Sequence, residues 1–462
     1  MINNWASRLP EMSIHFVGIG GSGMSGIARV MAARGARISG SDLHDSTTLN
    51  SLRALDFKIQ IGHHPENVEG AELVIRSSAI PSSNPEIIAA NNLGISVIGR
   101  AEALAALLIG KRSVAVAGTH GKTTTTSMLT VALQHSGLDP SFAIGASIRN
   151  SGTNAHHGNG EIFVVEADES DGSFTSYHPA GAVITNIELD HVDNFQNLEQ
   201  IDNLFSEFCR TVQDFIVVCS DDVGISRLLQ RIAGSDLKIV TYGTQADPNL
   251  LLDRIHLAPT TSSARLTFNG RVLGEMKLAI PGRHNLLNAA AAMAAGIELG
   301  APVNNLLEGI ASFSGARRRF EIRGEVNGVT VIDDYGHHPT EIKATIEIAR
   351  SFAGSGRVIV IFQPHRFSRT KAFADKLAEE LGAADHTYLL EIYPADEQPI
   401  AGVTSAVIAH RMSSKSVTYE PSMPDVISQV VSKAKQGDLV LTLGAGDVTA
   451  LAPLILENLQ RK

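Results

Sequence analysis

Short apolar runs alternate with stretches of helical spacing along the whole chain, an order that predicts parallel sheets flanked by helices. Ser13–Val17 reads as a strand running straight into Gly18-Ile19-Gly20-Gly21-Ser22-Gly23, with a helix over 24–33. Further strands are expected at 37–39, ending in Gly40-Ser41-Asp42, and at 72–76 and 96–98. Residues 101–109 read as a helix, and Gly110-Lys111-Arg112 as a hinge into a second unit. That unit opens with a strand at 113–117 and continues with strands at 161–165 and 181–186, each ending in polar residues. Open α/β sheets place ligands at such strand ends. The stretch 253–278 alternates as an antiparallel addition does, and Pro281 starts a helix rich in alanine over 289–295, a composition suited to close helix packing. A third unit begins near Ile322, with strands at 330–332, 357–362, 386–390 and 438–443. No fixed-period repeat and no low-complexity tract is visible.

Composition narrows the class. At roughly 150 residues per domain, 462 residues predict about three domains. Hydrophobic residues at 44% and charged residues at 19% exclude a disordered or fibrous chain. The net charge of −10 repels phosphate backbones, so no nucleic-acid partner is expected. No apolar run approaches the roughly 20 residues of a bilayer-spanning helix. The first ten residues lack a basic and then apolar leader, so a cytoplasmic protein is expected, without a membrane partner. Cys209 and Cys219 read as a buried, reduced pair.

The candidate chemistry lies at the strand ends. In the first loop, Gly18, Gly20, Gly21 and Gly23 let backbone approach a diphosphate at a helix N-terminus. Asp42 follows about twenty residues later, as in a dinucleotide fingerprint. Any nucleotide diphosphate suits this loop, so a nicotinamide-dependent oxidoreductase is one reading. The second loop is Gly118-Thr119-His120-Gly121-Lys122-Thr123-Thr124. Its amides suit a terminal phosphate, Lys122 adds a cation, and the Thr123 hydroxyl suits Mg²⁺. The loop is shorter than the common phosphate-binding motif, because Val116 stands where that motif has its first glycine. Glu166 continues the strand beside this loop into Asp168, Glu169 and Asp171, where a hard cation finds oxygen ligands. His191 sits among Glu188, Asp190 and Asp193 at another strand end, a second candidate metal ligand.

Four more clusters stand out. Pro281-Gly282-Arg283-His284-Asn285 either caps a helix or meets a purine. Arg317, Arg318 and Arg319 lie at a domain junction, where a cation can swing toward phosphates. Asp333-Asp334-Tyr335-Gly336-His337-His338 follows one strand of the third unit, and Gln363-Pro364-His365-Arg366-Phe367-Ser368-Arg369-Thr370 follows the next. Arg366 and Arg369 on a strand-to-helix turn suit a carboxylate. Gly444-Ala445-Gly446-Asp447 reads as a tight turn.

Taken together, the segments at 18–26, 77–80, 118–124, 166–174, 185–193, 281–290, 318–320, 333–341 and 362–370 resemble the Mur ligase family, and its alanine-adding members above all. The resemblance covers essentially the whole chain. It implies an α/β protein of three domains with mostly parallel sheets. These are a Rossmann-like domain over 1–110 for the UDP-sugar, a central P-loop ATPase-like domain over 111–320, and a Rossmann-like domain over 321–462 that closes over the site. It implies ATP-dependent joining of L-alanine to the lactyl carboxylate of UDP-N-acetylmuramate, an early cytoplasmic step of peptidoglycan synthesis. ATP and Mg²⁺, with Mn²⁺ as a substitute, come with that activity, as do small-molecule partners and a monomer or weak homodimer.

Family roles then fall on matching residues. Lys122 would hold the γ-phosphate within the loop Gly118 to Thr124; Thr123 and Glu166 would bind one Mg²⁺, and His191 a second. His284 and Asn285 would lie near the adenine, and Arg318 or Arg319 near the phosphates. The glycine loop, Asp42, Ser77, Ser78 and Ala79 would line the sugar-nucleotide pocket. His337, Arg366 and Arg369 would hold the amino acid, with Tyr335 nearby. Several relatives carry a carbamoylated lysine at a position that here is Ser206, and no lysine occurs between His191 and Lys238. Alanine-adding members also lack it. Two rivals remain beside the oxidoreductase: a recycling ligase that attaches a whole peptide, and a regulator that binds nucleotide without turnover.

Overall fold

The computed structural model describes residues 5, 8–245, 247–395, 397–413 and 416–462. The expectation about a leader in the first ten residues falls largely outside that set.

Three sheets follow one another along the chain. The first is fully parallel, ordered Lys58–Ile61, Arg37–Asp42, Ser13–Val17, Leu73–Arg76, Ser96–Gly99. The order reverses beside the central strand Ser13–Val17, so the glycine loop opens at a topological switch point. The middle sheet has ten strands. Its parallel body runs Lys238–Gly243, Phe215–Cys219, Gly181–Ile184, Arg112–Ala117, Ile162–Glu166, Ser141–Ala143. Leu250–Leu257, Ser262–Phe268 and Arg271–Leu278 extend one edge as the expected antiparallel addition. The third sheet runs Glu321–Val326, Val329–Asp334, Leu439–Leu443, Val358–Phe362, His386–Leu389, Val417–Tyr419, antiparallel only in its first pair.

Apolar continuity explains why these sheets are parallel and covered on both faces. Ile216, Val217 and Val218 are wholly buried, as are Val360, Ile361 and Phe362. The helix Arg283–Glu298 buries every alanine from Ala289 to Ala295 and packs on the helix Lys122–His135 that begins at the second loop. Cys209 and Cys219 are buried and unbonded, as expected. Among the described residues no helix is long and apolar enough to cross a membrane.

Several boundaries differ from the sequence reading. The strand expected at 37–39 continues through Gly40, Ser41 and Asp42, which pair with Ile59, Gln60 and Ile61. Gly40 lies so close to Ile19 that a Cβ there would clash, and strands on both sides pair with this polar stretch. Arg112 opens its strand instead of a hinge, and its guanidinium donates to the carbonyls of Glu298 and Leu299. The alanine-rich helix starts at Arg283, after Gly282 at φ 106°, and not at Pro281. Short strands at Lys58–Ile61, Ser141–Ala143 and Val417–Tyr419 had no clear apolar signature, because each is brief and partly exposed or lies near an edge.

Candidate functional site

The second glycine loop leaves the strand Arg112–Ala117 and turns at Gly121, φ 81°, into the helix Lys122–His135. The neighbouring strand end braces it. Thr185 Oγ1 donates to the His120 carbonyl at 2.6 Å, and the His120 N–H donates to Asn186 Oδ1 at 2.8 Å. Lys122 Nζ folds back onto the carbonyls of Gly118 and Thr119 at 2.6 and 3.1 Å and onto Glu169 at 2.8 Å. Burial opposes its charge, but Glu169 and Asp168 hold its pKa above the ordinary lysine value. The cation is thus kept charged and aimed across its own loop.

Oxygen donors converge beside it. Thr123 Oγ1 donates to Glu166 Oε1 at 2.9 Å, and the Gly145 N–H donates to Glu166 Oε2 at 2.7 Å. A hydroxyl and a carboxylate this close to a phosphate loop fit a hard divalent cation. His191, at φ 50°, places Nε2 3.4 Å from Glu169 and 3.8 Å from Asp190, a second place where positive charge is favoured.

A cavity of about 660 Å³ joins this loop to the other two sheets. Gly21, Gly23 and Ser77 enter it from the first sheet, and Thr119, His120, Lys122, Thr123, Glu166 and His191 from the second. Arg318, Arg319, Tyr335, His337, Arg366 and Arg369 enter from the third. A smaller cavity of about 190 Å³ adjoins it, lined by His120, Gly121, Thr124, His284, Asn285 and Arg319. Arg319 borders both and pairs with Glu341 at 3.4 Å. Burial and the Arg319 charge press His284 down to about 4, so its ring is neutral.

Other expected residues are placed differently. Gly18 and Gly20 shape the first loop without lining the cavity, and Gly118 packs on Thr185. Asp42 accepts the Gly20 N–H at 2.9 Å and the Leu43 N–H at 2.9 Å, so its carboxylate serves the loop itself. Ser78 and Ala79 are exposed and off the cavity. Asn285 Nδ2 donates to the Pro281 carbonyl at 2.6 Å. Arg318 is tied to the third sheet, donating to the Gly444 carbonyl at 2.6 Å and lying 3.4 Å from Asp333. Arg369 is buried and spends two donors on Asp190 Oδ1 at 2.9 and 2.8 Å, while Arg366 pairs with Asp193. The two arginines therefore strap the third sheet to the acidic strand end of the second. Arg369 Nη1 also meets His365 at 3.1 Å.

His337 is oriented from behind. Its Nδ1 lies 3.0 Å from the Tyr335 carbonyl and so donates, leaving the Nε2 lone pair free. Burial, then Arg369, lowers its pKa to about 4, and burial with His337 lowers that of His365 to about 2. The guanidinium groups of Arg318 and Arg319 lie 4.9 and 5.3 Å from the Tyr335 ring centre. His120 behaves oppositely: burial works against its charge, yet Glu188 and Glu341 hold its pKa at about 9.

Three residues in this region had no assigned role from sequence. Arg100 lines the large cavity, its Nη2 3.6 Å from Asp168; its only signal was a position directly after a strand. Glu188 touches His120 and Thr340, and Glu341 touches His120 and Arg319. Glu341 also forms half of a helix capping box with His338.

Known proteins match this architecture along its length. Residues 13–112 match the Mur ligase family catalytic domain, 116–296 the Mur ligase middle domain, and 318–446 the Mur ligase glutamate ligase domain. A UDP-N-acetylmuramate–L-alanine ligase of Saccharopolyspora erythraea is 46% identical over 97% of this chain and 94% of its own length. The crystal structure of a UDP-N-acetylmuramate–alanine ligase from Thermotoga maritima superposes with a TM-score of 0.84 at 30% identity, covering 98% of this chain and all of the other. A murein peptide ligase from Psychrobacter arcticus gives 0.73 at 25% identity, covering 98% of this chain and 99% of its own.

Proposed function

This chain belongs to the Mur ligase family, and on that basis we propose that it is an ATP-dependent ligase joining L-alanine to UDP-N-acetylmuramate in peptidoglycan precursor synthesis. The observation that carries the reading is the shared cavity, where a phosphate loop, a diphosphate-type glycine loop and a histidine–arginine cluster face one void. The first domain, 1–110, holds the sugar nucleotide; the second, 111–320, holds ATP; the third, 321–462, closes over both.

The chemistry follows from charge. A carboxylate is a poor electrophile, so its oxygen attacks the γ-phosphorus of ATP, the bond to ADP breaks, and an acyl phosphate forms. The alanine amine then attacks the acyl carbon, and the tetrahedral intermediate collapses with loss of phosphate. Lys122 swings from Glu169 to the γ-phosphate and offsets charge as two anions approach. Thr123 and Glu166 would hold one Mg²⁺, replaceable by Mn²⁺, and His191 a second. Bound there, the cations supply further charge neutralisation and polarise the phosphoryl oxygens. His284 and Asn285 border the smaller void, which takes the adenosine end, and Arg319 stands where the two voids meet.

At the amino-acid end, the free Nε2 of His337 accepts a hydrogen bond from the incoming amine. A ring held near 4 is too weak a base to keep the proton at neutral pH. His337 therefore aims the nitrogen, and the departing phosphate or water takes the proton. Arg369 and Arg366, strapped to Asp190 and Asp193, shape the wall behind it.

The test is phosphate release by the purified chain with ATP, Mg²⁺ and UDP-N-acetylmuramate, screened across single amino acids and the murein tripeptide. Alanine-dependent release supports the reading. Release that needs the tripeptide moves the chain to the recycling branch, and no release with any acceptor overturns catalysis.

A further inference from the structure

A trio of side chains beside the phosphate loop, of which His120 and Glu188 also border the smaller void, holds no metal in the scheme above. His120 comes from the loop, Glu188 from the end of the strand Gly181–Ile184, and His338 from the turn after Val329–Asp334. One donor atom from each lies within 4.8 Å of the other two. Glu188 Oε2 stands between the rings, 3.5 Å from His120 Nε2 and 3.8 Å from His338 Nδ1.

The far sides of the rings matter as much. Histidines that bind metals usually give their other nitrogen to a carboxylate or a carbonyl, which sets the tautomer and aims the lone pair. Here His120 Nδ1 lies 3.5 Å from Glu341, and His338 Nε2 lies 3.3 Å from the Leu189 carbonyl. The inward nitrogens, His120 Nε2 and His338 Nδ1, both face Glu188. His120 Nε2 is buried and has no hydrogen-bond partner. Glu188 is itself steadied by the Thr340 hydroxyl at 2.6 Å. Competing for His338 are the N-terminal amides of its own helix, which its side chain caps, with the Thr340 N–H reaching Nδ1 at a long 3.4 Å.

We propose that His120, Glu188 and His338 bind a single borderline transition-metal cation of the Zn²⁺ class, separate from the Mg²⁺ positions at Thr123, Glu166 and His191. Two imidazoles and a carboxylate with an open fourth position form a zinc-type donor set, whereas Mg²⁺ prefers oxygen. Glu188 and Glu341 stand 3.5 Å from the two nitrogens of His120, so negative charge already surrounds the position. Because the ligands come from the phosphate loop, the middle sheet and the third domain, the bound metal fastens that domain in place.

Co²⁺ is the probe, titrated into the full chain with Mg²⁺ in excess to fill the oxygen sites. One Co²⁺ per chain is expected, with visible d–d absorption and displacement by Zn²⁺. Affinity is expected to fall at least roughly tenfold in Glu188→Gln and in His338→Gln, and to persist in Glu166→Gln. A His338→Cys chain is expected to add a thiolate-to-cobalt charge-transfer band, a gain that only a folded ligand set produces. Absence of d–d absorption in the parent chain overturns the site. So does unchanged affinity in both ligand variants, loss of binding in Glu166→Gln instead, or a cysteine variant without the new band.

Discussion

Two loops of this molecule share one local signature and differ in everything around it. Both leave a central parallel strand, turn on glycine, and start a helix. In the first, Gly18 to Gly23 carries no ionisable side chain, and the acid beside its turn, Asp42, accepts the Gly20 N–H. In the second, Gly118 to Thr124 carries Lys122 and His120, with Glu166, Glu169, Glu188 and Glu341 within reach. A glycine turn thus gives access for a phosphate, while the surrounding charges decide whether it is held passively or activated. The oxidoreductase reading is set aside by the match to Mur ligase domains along the chain.

Removing the cation should separate the loops most sharply. Lys122→Ala deletes a charge-assisted contact worth roughly 1.5–3 kcal/mol in binding, and more where transition-state charge develops. Turnover measured by phosphate release should drop at least tenfold; a wild-type rate would make the loops equivalent after all. Next come the glycines. Both Gly121 and Gly18 have left-handed backbone, at φ 81° and 80°, which costs about 1–2 kcal/mol for alanine. At Gly121 an added Cβ would also meet Asn288 Oδ1 at 2.5 Å, whereas at Gly18 the nearest atom, Ser77 Cβ, is 3.1 Å away. Gly121→Ala should therefore lower the melting temperature more and raise the KM for ATP, while Gly18→Ala raises the KM for the sugar nucleotide.

Asp42→Asn keeps an acceptor for the Gly20 N–H but loses the charge and the second oxygen, which accepts the Leu43 N–H, about 1 kcal/mol in all. The KM for the sugar nucleotide should rise roughly fivefold, with the KM for ATP unmoved. Smallest is a pH effect behind the first loop. Glu86 is fully buried and accepts from Ser41 Oγ at 2.6 Å, and the Ser41 carbonyl accepts the Gly18 and Ile19 N–H groups. Burial alone would raise its pKa, but His15, Ser41 and Asn67 bring it down to about 2. A depressed carboxyl stabilises the fold above its ordinary value of 4.5, and that share is lost as pH falls toward 2. Melting curves between those limits should show the loss, and Glu86→Gln should flatten it.

Much of the candidate site was readable because many of its cavity-lining groups sit at the carboxyl end of an apolar strand. Lys122, Glu166, His191 and His337 all obey that rule, and all four line one cavity. Arg366 and Arg369 obey it too, yet pairing with Asp193 and Asp190 changes what they offer. No spacing in the chain announces a partner more than 170 residues away. Arg100 and Glu188 meet their partners Asp168 and His120 across 68 residues, a separation that likewise leaves no mark in local spacing.

By itself the sequence determined the alternation of strand and helix, the turns where glycine is needed, and the residue types at each strand end. These depend on near neighbours: hydrophobic periodicity, left-handed backbone, helix starts. The tertiary structure alone decided which charges meet and which nitrogens stay free, because those depend on distances between segments that only packing of the three sheets brings together. It made His120 a charged ring and His337 a neutral one, though the two differ little in local sequence chemistry.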